Sequence, residues 1–441
     1  MQTSLETLGA LERRLTMSVP LAQIETEVRQ RLARLAKTVR VAGFRPGKVP
    51  MTMIAQQYGP QVRSDVITDA VQARFSEAIQ EHNVRIAGSP RIEPRADATA
   101  TDQLEFSAVF EVYPEVKLGD LSGVTIERPA TEVRPEDVRR TIEMLRRQRT
   151  RYDHVTRAAA AGDRVIVDFS GRVDGVAFPG GQASDFAIVI GEARMLPEFE
   201  GAITGMSEGE TRTFTVTFPA DYHGKDVAGK VAEFTLTVKS VAAATLPVID
   251  AEFVRAFGIA SGRVEELEAE ITSNLKLELK RKIEAKVKEQ AFAALRQKAE
   301  LTLPKSLVEI EVQNLAQGMA AQLQQQGMKA EDIKLAPEMF RASAEGRVAL
   351  GLVLAEVVRA EALHAKPEQV KALVQEAAQT YEQPEAVVRW HYDKPERLNE
   401  FESLAVEHNI VEWVLSRARV EDKPATFAEL MGTTGTQGAP A

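Results

Sequence analysis

The hydrophobic period of this chain changes twice, near Gly162 and near Pro247, and each change bounds a domain. From about Gly162 to Val241 short strand-like runs dominate. They are Val165-Ile166-Val167-Asp168-Phe169, Phe186 to Ile190, Thr213 to Phe218 and Phe234 to Val238, separated by Gly, Pro and Asp turns. From Pro247 onward the pattern is almost wholly helical. Val264, Leu267, Ile271, Leu275, Leu279, Ile283, Val287 and Leu295 predict one amphipathic helix of roughly 50 Å. Further helices are expected after Pro304, Pro337, Pro367 and Pro384, where a first turn tolerates proline.

Ahead of the β-rich segment, Leu21, Ile24, Val28, Leu32, Leu35 and Val39 recur at helical spacing, with Arg29, Arg31, Arg34, Lys37 and Arg40 on the other faces. Gly43 is placed to cap this helix. A second helix carries Val62, Val66, Ile67, Ala70, Phe75 and Ile79, and Leu104 to Val112 alternates as a half-buried strand. Residues 135–151 read as a further helix, rich in Arg and Glu. The expected fold is multidomain α+β. Residues 1–112 form an α+β domain, 113–150 a linker and a helix that returns to the C-terminal part, and 151–245 a β-rich domain. Residues 246–431 are all-α, and 432–441 form a small, polar, disordered tail.

The 441 residues suit several domains. Aromatics are scarce at 6%, so cores must be built from Ala, Leu, Val and Ile. Net charge is −9, which excludes nucleic-acid binding by bulk electrostatics and leaves only local basic patches. There are no cysteines, hence no disulfide, thiolate nucleophile or zinc–thiolate site. The six histidines are scattered and suggest no metal. No Gly-x-x-x-x-Gly-Lys-Ser/Thr run is present to cradle ATP. No cofactor is expected. With neither an apolar leader core nor a membrane-spanning run, a cytoplasmic location without membrane contact is expected.

One run resists regular structure: Gly43-Phe44-Arg45-Pro46-Gly47-Lys48-Val49-Pro50. Its glycines and prolines stop both helix and strand. A Phe flanked by Arg and Lys on such a tip is a poor core element and a good contact element. The β-rich segment holds apolar rings beside turns, with no nucleophile–base pair and no ligand cluster. An ordinary small β core accounts for some of those rings.

Residues 162–240 resemble an FKBP-type peptidyl-prolyl isomerase domain. The resemblance rests on Gly162-Asp163-Arg164-Val165, Phe169-Ser170-Gly171, Gly175-Val176-Ala177-Phe178, Phe186, Met195-Leu196-Pro197-Glu198-Phe199-Glu200-Gly201, Tyr222 and Phe234. It implies a shallow proline pocket lined by Phe169, Phe178, Phe186, Met195, Leu196, Phe199, Tyr222 and Phe234. Small single-domain members have Trp where Phe199 stands and Asp where Pro179 stands, and the loop after Tyr222 is short. Peptide isomerisation is expected to survive these departures; tight macrolide binding is not carried over.

Set upstream of that segment and of a long helical tail, Gly43-Phe44-Arg45-x-Gly47-Lys48-x-Pro50 resembles the bacterial trigger factor family. The likeness runs to Thr426-Phe427-Ala428-Glu429-Leu430-Met431. It implies a ribosome-docking tip made of Gly43, Phe44, Arg45, Pro46, Gly47, Lys48 and Pro50. The implied partner is the large subunit beside the exit tunnel, protein with rRNA nearby. Pro46 stands where some members have a basic residue, exchanging charge for rigidity. The helical part resembles a chaperone body with two arms that receives nascent and unfolded chains. Most of its apolar stripes are expected to be helix packing. Leu315, Met319, Leu323 and Met328, set among glutamines, are the candidate client contacts. A homodimer off the ribosome is compatible with these surfaces. Two other readings stay open: a multidomain prolyl isomerase acting on free unfolded chains without ribosome docking, and a helical scaffold with an inactive isomerase domain.

Overall fold

The computed structural model describes residues 3–39, 44, 48–95, 102–192, 195–220, 222, 224, 227–379, 381 and 383–432. The chain divides into two units, Met1–Arg128 with Ala285–Lys423, and Pro129–Glu284 with Pro424–Ala441.

The first unit begins with an antiparallel sheet in the order Ser4–Thr7, Glu12–Pro20, Gln103–Val112, Ile86–Pro94. Alternation along two of these strands sends Leu15, Met17 and Val19, and Phe106, Ala108 and Phe110, to one buried face. Helices Leu21–Thr38 and Met51–Glu81 add Ile24, Val66 and Phe75 to that core. Phe75 meets Phe110 edge-on at 5.6 Å between ring centroids. Each such large side chain contributes about 1.5–3 kcal/mol through burial.

The first helix ends at Thr38 with Val39 as its cap, short of Gly43, which lies outside the described residues. Val39 takes an extended conformation, and its side chain joins Leu32, Val49, Ile54 and Tyr58 in a small cluster between the two helices. That packing ends the helix before the glycine is reached. The second helix starts at Met51, well before Val62, and runs through Pro60.

The remainder of this unit is helical. Lys305–Gln325 and Glu338–Glu361 pack through Val308, Val312 and Ala344. The end of the long helix Val264–Lys298 meets Glu338–Glu361 and Asn399–Arg417 through Ala291, Leu295, Val353, Val357, Ile410 and Val414. Leu121 from the connector is buried in the same cluster. Lys117–Leu118 pairs with Ala299–Glu300, and Thr125–Ala130 with Arg419–Pro424. Arg128 grips Asp422 with two hydrogen bonds of 2.6 and 3.1 Å. Pro304 and Pro337 precede their helices, while Pro367 and Pro384 sit in first turns.

In the second unit, helix Pro135–Gln148 packs Val138 and Ile142 against Phe253, Val254, Leu267 and Ile271. A five-stranded sheet follows in the order Thr211–Thr217, Val231–Thr245, Arg164–Val173, Val176–Val189, with Arg151–His154 on the far end of Val231–Thr245. Helix Pro197–Ile203 lies on its buried face through Phe199 and Ile203. Asp163 is buried and accepts a two-point hydrogen bond from Arg157 at 2.6 and 2.9 Å. The Arg157 hydrogen bond, with the N–H of Ala160, holds its carboxyl below the usual range despite burial. The last residues, 433–441, for which disorder is expected, lie outside the described residues.

The N-terminal sheet is tied to helix Lys305–Gln325 by two side chains, Glu111 and Ser306, whose hydroxyl also reaches the Ala87 carbonyl at 2.9 Å. Pro304 precedes that helix and offers no side-chain cap. Glu111 supplies it, accepting from the N–H groups of Lys305 and Ser306 at 3.1 and 2.7 Å and from the Ser306 hydroxyl at 2.6 Å. Burial alone raises the Glu111 pKa, but these hydrogen bonds and the Lys305 charge outweigh it and hold the carboxyl below its usual range. Gly88 makes the approach possible, because a methyl group there would meet the Ser306 hydroxyl at 2.6 Å. Glu111→Gln is expected to cost about 1 kcal/mol. A lowered folded-state pKa contributes stability above the unfolded value of about 4.3, which is lost as pH falls through the folded value. Chemical denaturation of both proteins across pH 7 to 3 checks this: the gap should be full at neutral pH and close in acid.

Candidate functional site

The five-stranded sheet of the second unit gathers phenylalanine rings on one face. Phe169, Phe199 and Phe234 are buried in a single cluster, and Phe178, Met195, Leu196 and Tyr222 pack against it. Phe199 is the centre, 2% exposed, with edge-on contacts to Phe169 at 5.3 Å, Phe234 at 5.4 Å and Phe214 at 5.3 Å. Phe178 stands edge-on to Phe234 at 6.1 Å and to Phe218 at 6.0 Å. Phe186 is 40% exposed and touches Phe169 edge-on at 5.7 Å. All eight residues implied by the isomerase resemblance are thus brought together. Edge-on ring pairs add about 0.5–1.5 kcal/mol beyond burial and hold each ring in one orientation.

Two glycines decide how closely the rings pack. A methyl group on Gly171 would lie 2.5 Å from the Phe234 ring, and one on Gly181 would lie 2.8 Å from Phe178. The rings therefore lean directly on backbone. Phe214 and Phe218 also belong to the cluster and were missed as site residues. The signal was available, since Phe214 shares a strand face with buried Val216.

The reverse face of the sheet is different. A groove of about 720 Å³ there is lined by Ser170, Arg172, Asp174, Thr215, Val231, Glu233 and Thr235. It contains no ring and offers nothing to a proline. Among the described residues no three His, Cys, Asp or Glu groups are placed to hold a metal ion. No helix among them is long and apolar enough to cross a membrane. The ring cluster is apolar, with Phe186 at its most exposed edge, and is the candidate well for a proline ring. Such a well would accept a small apolar ring and withdraw the atoms bonded to it from water.

Of the tip residues, Phe44 is 39% exposed, and Lys48 and Pro50 are exposed. Gly43, Arg45, Pro46 and Gly47 lie outside the described residues, as does Arg40. Val49 and Ile54 are buried against Leu32, which fixes one side of the tip on the helix pair. Pro50 is extended and directly precedes the helix at Met51. Met51 and Met53 are also exposed there and extend the apolar surface. Arg29, Arg34 and Lys37 face solvent, but Arg31 does not belong with them. It is held by Asp69 at 2.7 Å and Glu27 at 3.3 Å, and hydrogen bonding to Asp69 first, then Glu27, raises its pKa.

The helical candidates divide. Met319 and Met328 are exposed and Leu323 is half-buried. Leu315 instead packs against the Val308, Val312 and Ala344 cluster, so it serves helix packing. It lies one turn closer than Met319 to the buried positions Val308 and Val312.

Gly171→Ala tests the walls of the well. The added methyl group must displace the Phe234 ring, an overpacking cost of about 1–3 kcal/mol. Isomerisation of a proline peptide is expected to slow about tenfold or more, with a lower melting temperature; Gly201→Ala, which has open space around it, should change neither.

Comparisons with known proteins agree with this organisation. A model described as bacterial trigger factor protein matches residues 1–145, and one for the trigger factor C-terminus matches 263–416. The model for FKBP-type peptidyl-prolyl cis-trans isomerase matches 155–239, which contains the ring cluster. The chain is 52% identical over 432 residues to trigger factor of Aromatoleum aromaticum, covering 98% of this chain and 99% of the relative. It is 51% identical over 434 residues to that of Laribacter hongkongensis, covering 98% and 100%. A solved trigger factor chaperone chain is 18% identical, covering 94% of this chain and 99% of its own at a TM-score of 0.49, too low to carry an argument. With trigger factor models on both sides of an isomerase model, and about half of its residues shared end to end with these relatives, the chain belongs to the bacterial trigger factor family.

Proposed function

We propose that this chain is an ATP-independent chaperone that docks on the large ribosomal subunit beside the exit tunnel. There it shields nascent polypeptides and isomerises their X-Pro bonds. The observation that carries the catalytic part is the ring well centred on Phe199, rigid, apolar and without an acid or base in its walls.

That composition suits the reaction. Rotation about an X-Pro bond crosses a barrier of about 18–20 kcal/mol because the C–N bond has partial double-bond character. The double-bonded resonance form is the more dipolar one. An apolar well disfavours it relative to water and so eases rotation. The proline ring would sit against Phe169, Phe199 and Phe234, with Phe178, Phe186, Met195, Leu196 and Tyr222 around it. No proton needs to move.

Docking is assigned to the tip. Phe44 would enter an apolar spot, while Arg45 and Lys48 would meet acidic side chains or rRNA phosphates. With a chain charge of −9, attraction comes from these few local cations, so binding is reversible and salt-sensitive. Met319, Leu323 and Met328 would offer clients weak, adaptable apolar contact. Release then follows from competition with folding. Cytoplasmic residence and self-association off the ribosome belong to the same reading.

Two measurements test it. Cosedimentation with ribosomes should be lost in the triple variant Phe44→Ala, Arg45→Ala, Lys48→Ala and kept in Phe199→Ala; equal pelleting of triple variant and parent would exclude docking through the tip. A protease-coupled proline-peptide assay should show the converse pattern. Truncating Phe199 removes a buried ring worth about 3–5 kcal/mol, so activity should fall at least tenfold there and remain unchanged in the triple variant.

A further inference from the structure

The wall of the well at Phe186 depends on a distortion of the sheet. Along the central strand, Val167 faces Phe186 but Phe169 faces Ala183, so two residues, Ser184 and Asp185, stand opposite Asp168. This is a β-bulge. Asp185 takes a left-handed conformation, φ +53°, which a non-glycine residue holds only with support. A second bulge lies on the other side of the same strand. Val238 faces Val167 and Ser240 faces Ile166, leaving Lys239 as the extra residue.

The two bulges are joined across the central strand by three charged side chains. The N–H of Asp185 donates to Asp168 Oδ1 at 2.7 Å. Lys239 Nζ lies 2.6 Å from Asp185 Oδ1 and 3.3 Å from Asp168 Oδ2. Asp168 alternates with buried Val167 and Phe169, so its side chain leaves the sheet on the face away from the rings. Asp168 precedes Phe169 in the chain, and Asp185 precedes Phe186. The charges thus fasten the backbone from behind at the two residues whose rings meet edge-on in front.

We infer that Lys239, through Asp168 and Asp185, is a positioning residue for isomerisation that sets the presentation of Phe186 at the mouth of the well. Lys239 touches no substrate. It holds in place the bulge that aims the exposed ring. The inference rests on the isomerase reading of the well.

The experiment measures kcat/KM for a short X-Pro peptide in the full chain. Lys239→Met is expected to lower it about two- to fivefold, the scale of exposed ion pairs, and Lys239→Arg to restore it. In a Phe186→Ala background Lys239→Met should have no further effect, because the ring it positions is gone. About 1 M salt, where screening reaches within roughly 3 Å, should slow the parent more than the Lys239→Met protein. Equal activity of Lys239→Met and parent overturns the positioning role, as does a loss of the same size in the Phe186→Ala background. An inactive parent overturns the isomerase reading and this inference with it, so the parent alone tells the two failures apart.

Discussion

The N–H of Gly119 donates to the carbonyl of Lys298 at 2.8 Å, and a methyl group on Gly119 would meet that oxygen at 3.1 Å. This contact opens a run of pairings that closes the chain on itself. Lys117–Leu118 lies along Ala299–Glu300, Leu121 enters the helical core, and Arg128 grips Asp422. The stretch from Pro129 to Glu284 is thereby an insertion, and the last turns of the long helix, from Ala285, return to the first unit. Closing so long a loop is inexpensive, since each doubling of length adds only about 0.6 kcal/mol. The inserted strands then need a core of their own, and the ring cluster with its aliphatic partners supplies one.

In the proposed function that core is also the working surface. Catalysis by solvent exclusion asks for fixed apolar walls, not for a titrating group. Edge-on rings resting on Gly171 and Gly181 meet the demand with residues that also stabilise the fold. Phe199 stabilises the domain and, in the proposed function, forms the floor on which a proline ring would sit. Phe186 belongs to the second role more than the first, being half out in solvent. Its position depends on bulges and on charges behind the sheet rather than on burial.

The tip works in the opposite way. Among the described residues, those proposed for contact are held out of the core while their neighbours are held in it. Val49 and Ile54 are buried against Leu32, and Phe44 and Lys48 stay exposed.

Much of this was legible in the order of residues because secondary-structure period and turn chemistry are local. The long helix, the strands from Arg164 to Thr245 and the helices after each proline all follow from spacing alone. The eight rings and aliphatic groups of the cluster were legible only through the resemblance to the isomerase family, whose motif they match. What spacing could not supply is which surfaces meet. Arg31 reads as one more basic residue until Asp69 stands beside it, and Leu315 reads like Met319 until Ala344 covers it. The first helix stops at Thr38, not Gly43, because Val39 finds a core. Glu111 becomes a helix cap, and Lys239 a fastener of two bulges, only through partners remote in the chain. The sequence determined the elements and the chemistry they carry, whereas the tertiary structure decided which side chains are buried, paired or left for a partner, because burial and pairing depend on distances in space rather than along the chain.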